Sequence, residues 1–351
     1  MNSLESIYYV VSYLCHRQCP HCYEGRFRPY FGDELAAVTG QARANFERII
    51  DHFPDSMRYR VPEESAPDGT VPERTGRVIL SGGEVLVPQT RESVLYPAIE
   101  RIVAKYRPVG GVNVVVQTTG DLVTEKIVDE LLRLGVWMIS VSGMDDFHEG
   151  FTPERRDQLT AKLTKMFEQT GMHRSGLHAN ERKWKDEAGP VYSFFGATED
   201  AWIGKIWPRG RAWKNNLSRA TLADNFCNAW SGGLNFLNLG LAGSEVSIEP
   251  NGNVYPCCMK TKFPIGNLVE EPLLGILQSL VGHPVFESIS MGHPERMGIQ
   301  HGWSPETFMA KSRTIRPDGQ SYQNLCIGCD QFQAEVLGPV LAELRAARNI
   351  R

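Results

Sequence analysis

The sequence carries no excess of positive charge, no long apolar run and no basic leader. Its 37 Lys and Arg stand against 41 Asp and Glu, a net charge of −4, and extended basic runs are missing. That balance excludes a nucleic-acid-binding surface. The apolar run 7–14 is too short to cross a bilayer. Glu5 precedes it where a secretory leader would have Lys or Arg, and no small-residue cleavage site follows. The expectation is a cytoplasmic protein with no membrane and no nucleic acid among its partners. In such surroundings eight cysteines read as metal ligands or reactive thiols rather than disulfides.

Those cysteines are clustered. Cys15, Cys19 and Cys22 form a C-x3-C-x2-C run, Cys227 stands alone, Cys257 and Cys258 are adjacent, and Cys326-x2-Cys329 closes the set. A structural zinc site takes four ligands and is closed, whereas a cubane iron–sulfur cluster held by three thiolates keeps one iron open to a ligand. Taken alone, the first run also fits half of a zinc site completed by His16, His21 or a distant Cys.

Short apolar runs at 6–14, 77–81, 112–118, 136–142 and 191–195 alternate with amphipathic segments, which predicts repeated βα units; 203–207 leads into a sixth strand. Thr124 N-caps one helix, stopped by Gly135, and Thr152-Pro153 opens another that ends before Gly171. Asn251-Gly252 predicts a hairpin, followed by a helix over 272–281 and a final helix over 333–348. Polar insertions at 55–76 and 173–190 read as surface loops, and His283, His293, His301 and Trp303 as ordinary loop residues. A domain boundary falls at 222/223.

Chemistry-bearing residues follow the predicted strands. Gly82-Gly83-Glu84 ends the second, Gln117-Thr118-Thr119-Gly120 the third, and Ser140-Val141-Ser142-Gly143 the fourth. Asp145, Asp146, His148 and Glu149 sit on the next loop, and Arg209-Gly210-Arg211-Ala212 comes before the boundary. Strand ends are where α/β folds place their ligands.

The cysteine run, the GGE turn and the downstream cysteines together resemble the radical S-adenosylmethionine (radical SAM) superfamily, in the branch with a C-terminal twitch/SPASM-like auxiliary-cluster domain. The resemblance implies an α/β fold, a partial (β/α)6 TIM-like barrel over 1–222 and a small α+β auxiliary-cluster domain over 223–351. It implies that Cys15, Cys19 and Cys22 hold a 4Fe-4S cluster that binds SAM. Gly82, Gly83 and Glu84 would take the methionine amino group, His21 the adenine, and Gln117, Ser140, Ser142 and Arg211 the rest of SAM. Gln117-Thr118-Thr119-Gly120 stands where the family often has a TNG-like turn, with Thr119 in place of Asn. Asp145, Asp146, His148 and Glu149 become the substrate-side catalytic candidates. A second 4Fe-4S cluster would be held by Cys227, Cys257, Cys326 and Cys329, with Cys258 as the spare, although the gap from Cys227 to Gly252 is longer than the family's. Four-cysteine zinc sites share such spacings.

The activity so implied is reductive cleavage of SAM to a 5′-deoxyadenosyl radical that abstracts hydrogen from a small metabolite or peptide. The outcome would be oxidative (dehydrogenation, crosslinking or cyclisation), with electrons from a flavodoxin- or ferredoxin-type donor. The alternatives are a redox-neutral epimerase or mutase using Cys258 as hydrogen donor, and a zinc-bound scaffold without catalysis. Only fourteen residues precede Cys15, which favours a small molecule or a peptide delivered by a separate protein.

Overall fold

The computed structural model describes residues 3–176, 187–198, 202–229 and 231–349. At its centre lies β1 (Ser6–Ser12), all of whose residues are buried. A strand covered on both faces must be apolar almost throughout, and SIYYVVS is. To one side follow β2 (Arg77–Gly82), β3 (Asn113–Thr118), β4 (Val136–Val141) and β5 (Val191–Phe194), each parallel to the one before. The connections carry helices α1 (Gly32–Asp51), α2 (Tyr96–Tyr106), α3 (Glu125–Arg133) and α4 (Pro153–Gln169). Thr124 and Thr152 cap the last two as expected, accepting from the amides of Ile127 and Arg155.

Because side chains alternate along a strand, the sheet has two different faces. Ile7, Tyr9, Val11, Val78, Leu80, Val114, Val116, Ile139 and Val141 pack against Phe46, Ile49, Ile99, Ile102, Val128 and Phe167 of the helices. The intervening Tyr8, Val10, Ile79, Val115 and Met138 form a second cluster with Cys15, Trp207 and Cys258. The helices cover the first face, and the second is left to line a cavity.

The expected α/β class is borne out, with one correction to the barrel. Residues 203–207 make no sixth strand: Trp202–Lys205 is a 3-10 turn, and Ile206 has φ 45°, which no strand accommodates. Two further strands pair in parallel: His173–Arg174, within the insertion read as a surface loop, lies beside β5, and β6 (Glu245–Ile248) pairs with the free side of β1. The Asn251-Gly252 turn, with Gly252 at φ 87°, joins β6 to antiparallel β7 (Asn253–Tyr255), and β8 (Gly266–Asn267) follows, so the hairpin extends the same sheet. The insertion at 55–76 contains a small hairpin, Arg58–Arg60 with Glu73–Thr75, while 177–186 of the second insertion lie outside the described residues. The segment 272–281 is helical only over Leu273–Gln278. The final helix begins earlier than its apolar pattern indicates: α5 (Leu325–Phe332) runs through the π turn Gln333–Leu337 into α6 (Gly338–Asn349). Cys326 and Cys329 therefore lie on a helix, whose N-cap Asn324 accepts from the Cys326 amide at 2.9 Å. Among the described residues no helix is long and apolar enough to cross a membrane.

A charge network ties the cysteine loop to the hairpin. Glu24 and Glu249 share Arg26 and Lys260, with Lys260 Nζ 2.5 Å from Glu24 and 2.8 Å from Glu249. Burial pushes the Glu24 carboxyl up, but the hydrogen bonds from Arg26 and the charge of Lys260 outweigh it and bring it down to about 2. A carboxyl depressed in the folded state stabilises fully above its unfolded value and ceases to do so as pH falls through the folded one. Stability of the wild type is therefore expected to drop between about pH 4.5 and pH 2, and chemical unfolding of Glu24→Gln should show a shallower fall across that window. Parallel pH profiles would contradict this assignment.

Candidate active site

A cavity of about 280 Å³ opens at the carboxyl ends of β1–β5. Cys15, Cys19 and Cys22 line its rim, on the loop that leaves β1. Two hydrogen bonds join that loop to the turn after β2: the Gly83 amide donates to the Ser12 carbonyl (3.1 Å) and the Glu84 amide to that of Leu14 (2.9 Å). The approach requires glycine, since a Cβ on Gly83 would lie 2.3 Å from the Leu14 carbonyl oxygen and 2.8 Å from Cys15 Cβ. Burial pushes the Cys15 and Cys22 thiols up to about 12 and about 11, so binding a metal core here would displace protons.

Glu84 does not line the cavity. Its carboxylate is 1% exposed and accepts from Thr118 Oγ1, the Thr119 amide and Thr119 Oγ1, each at 2.7 Å, and from the Leu86 amide at 2.9 Å. It locks the β2 turn to the β3 turn, and the backbone of Gly82 and Gly83 is what faces the cavity. Gln117, Ser140 and Ser142 line the wall, with Ser140 Oγ 2.9 Å from Ser193 Oγ. Asp121 was missed in the sequence although it closes the QTTGD turn. Its carboxylate takes His16 Nε2 at 2.7 Å and Arg17 Nη2 at 2.6 Å, fixing the first half of the cysteine loop.

The loop after β4 divides by role. His148 lines the cavity, and its Nδ1 lies 2.8 Å from Asp145 Oδ1. Asp145 is 2% exposed and also accepts from the amides of Phe147, His148 and Ala197, so it positions His148 rather than facing the cavity. Glu149 donates its amide to Cys19 Sγ (3.3 Å) and accepts the Gln18 amide (2.7 Å), which makes it part of the cysteine loop's support. Asp146 points to solvent and pairs with Arg156. His21 lines the cavity with its ring 4.7 Å from that of His148; burial, then the neighbouring imidazole, bring it down to about 4.

Arg211 clamps the cysteine loop. Its guanidinium donates to the carbonyls of Cys19 (2.9 Å), Gly25 (3.1 Å) and Phe27 (2.8 Å), and its amide to that of Cys22 (2.8 Å).

The second cysteine set stands outside the cavity lining. Cys227, Cys257, Cys326 and Cys329 interact electrostatically with one another, and none of them lines the cavity. Cys258 does line it and is buried. The adjacent pair thus faces two ways, which the sequence left open. Among the described residues, the groups whose ligand atoms gather within 4.8 Å are His21, Asp145 and His148, and no three cysteine sulfurs do so. Sulfurs sharing one zinc would stand about 3.8 Å apart, closer than three sulfurs of either thiol set stand here.

Residues 241–282, which span the hairpin, Cys257 and Cys258, match the SPASM family, an iron–sulfur cluster-binding domain. The SPASM-like part of the resemblance read from the sequence is borne out by this match. No curated protein sequence matches the chain. Among solved structures, the chain is similar to BtrN in complex with AdoMet and 2-DOIA (17% identity, TM-score 0.44, covering 84% of this chain and 90% of that one). It is similar to Streptococcus suis SuiB bound to S-adenosylmethionine (12%, 0.40, 87% and 76%). It is also similar to anSMEcpe with bound AdoMet (15%, 0.38, 99% and 95%).

Proposed function

We propose that this chain, whose residues 241–282 carry a SPASM iron–sulfur domain, is a two-cluster radical SAM enzyme that oxidises a small molecule or peptide. The observation that carries the reading is the convergence of Cys15, Cys19, Cys22 and the Gly82-Gly83 backbone on one cavity, with a separate four-thiol set outside its lining. When bound, the clusters and SAM would supply one-electron cleavage of SAM and abstraction of a substrate hydrogen. Cys15, Cys19 and Cys22 would hold the first cluster, and Cys227, Cys257, Cys326 and Cys329 the second. Gln117, Ser140 and Ser142 offer polar contacts to SAM, while Phe194, Phe195 and Trp207 exclude water from the cavity. Oxidation of a substrate also needs a proton acceptor. Among the described residues no Asp or Glu lines the cavity and His21 is a weak base, which leaves His148, oriented by Asp145. The electron source fitting this reading is a flavodoxin- or ferredoxin-type protein in the cytoplasm.

Cys258 favours a second reading, a redox-neutral epimerase or mutase, because a buried thiol on the cavity wall can return a hydrogen atom. Protein reconstituted anaerobically with iron and sulfide, reduced with dithionite and given SAM is expected to release 5′-deoxyadenosine. An iron-loaded protein that releases none contradicts both readings. Deuterium carried from D2O into the product, and lost in Cys258→Ala, would select the second.

A further inference from the structure

Two arginines of the segment Arg209-Gly210-Arg211 face opposite ways. Arg211 holds the SAM-side cysteine loop. Gly210 packs so closely on that loop that a Cβ would lie 2.3 Å from the Tyr23 carbonyl oxygen. Arg209 turns to the other set. It forms a two-point pair with Asp330, which directly follows Cys329 on α5, at 2.8 and 2.9 Å, and donates to the Met259 carbonyl, just past Cys257, at 3.3 Å. Its side chain is 14% exposed, and its charge acts on Cys326, Cys329 and Cys257.

We propose that Arg209 sets the reduction potential of the auxiliary cluster, holding a fixed positive charge beside three of its four thiolate positions. The inference rests on the two-cluster reading above. Reduction adds negative charge to an iron–sulfur core, so a nearby buried cation stabilises the reduced state and raises the potential. The Asp330 carboxylate acts the other way, yet the two charges do not cancel. The Asp330 side chain is 36% exposed against 14% for Arg209, so solvent screens the carboxylate more than the guanidinium, which also reaches the Met259 carbonyl beside the Cys257 turn. The arrangement favours electron uptake by the auxiliary cluster, as an acceptor of substrate electrons requires.

The test is a redox titration of the reconstituted full-length protein followed by electron paramagnetic resonance, with the SAM-side cluster as internal reference. Arg209→Met is expected to shift the auxiliary cluster to a more negative potential, and Asp330→Asn to a more positive one, with the reference cluster unmoved. Arg209→Lys, which keeps the charge, should stay nearer the wild type than Arg209→Met. Opposite signs separate an electrostatic role from general disruption, which would move both variants alike. Should Arg209→Met fail to assemble the cluster, the Asp330→Asn and Arg209→Lys comparisons still decide. Unmoved potentials, or shifts of one sign in all variants, overturn this inference alone; a wild type that binds only one cluster overturns it together with the two-cluster reading.

Discussion

Replacing Cys15, Cys19 and Cys22 together by Ala is expected to abolish 5′-deoxyadenosine formation and to lower bound iron from about eight to about four per chain. The three thiols are the SAM-side ligands of the reading, and they alone of the seven proposed ligands line the cavity. The second set is bound by its own elements: Cys326 and Cys329 by the Asn324-capped start of α5, and Cys227 by Asn225 Oδ1, which accepts its amide at 3.0 Å. Loss of the first cluster should therefore leave the second assembled. Iron and sulfide analysis beside a chromatographic assay for 5′-deoxyadenosine reads both numbers. A triple variant that still cleaves SAM would place the activity elsewhere; one that binds no iron would mean the two sites assemble as one unit.

Glu84→Ala is expected to cost about 3–5 kcal/mol of stability and to impair iron loading of the first site. The variant would strand three buried donors, the amides of Leu86 and Thr119 and the Thr118 hydroxyl, around a cavity where the carboxylate had been, while the Thr119 hydroxyl keeps Asp121 as acceptor. Glu84→Gln keeps the volume and one acceptor oxygen, so its loss should be smaller. Denaturant unfolding measures both. An Ala variant within about 1 kcal/mol of the wild type would show that the turn holds without its anchor. The expectation treats Glu84 as a support, with cofactor contact left to the Gly82-Gly83 backbone.

The Gly-Gly-Glu run is local, but the partners that make Glu84 a support come from the β3 turn. The strands were legible because parallel buried strands leave near-continuous apolar runs, and β1–β5 fall where those runs lie. The caps at Thr124 and Thr152 were legible because capping is a local matter. The extension of the sheet past β1 was not: β6 beside β1 is a pairing between distant segments, and no local pattern encodes it. Side-chain roles were hidden for the same reason. Asp145, Asp146, His148 and Glu149 are near neighbours in sequence, yet one supports, one faces solvent, one lines the cavity and one braces the cysteine loop. Likewise the partner that distinguishes Arg209 from Arg211 is Asp330, far along the chain, which no local pattern signals.

The most direct test of the account is electron paramagnetic resonance of the anaerobically reconstituted, dithionite-reduced protein with and without SAM. Two four-iron signals are expected, of which SAM alters only the one that disappears in the Cys15→Ala, Cys19→Ala, Cys22→Ala variant. A spectrum that SAM leaves unchanged, with both clusters present, would contradict it.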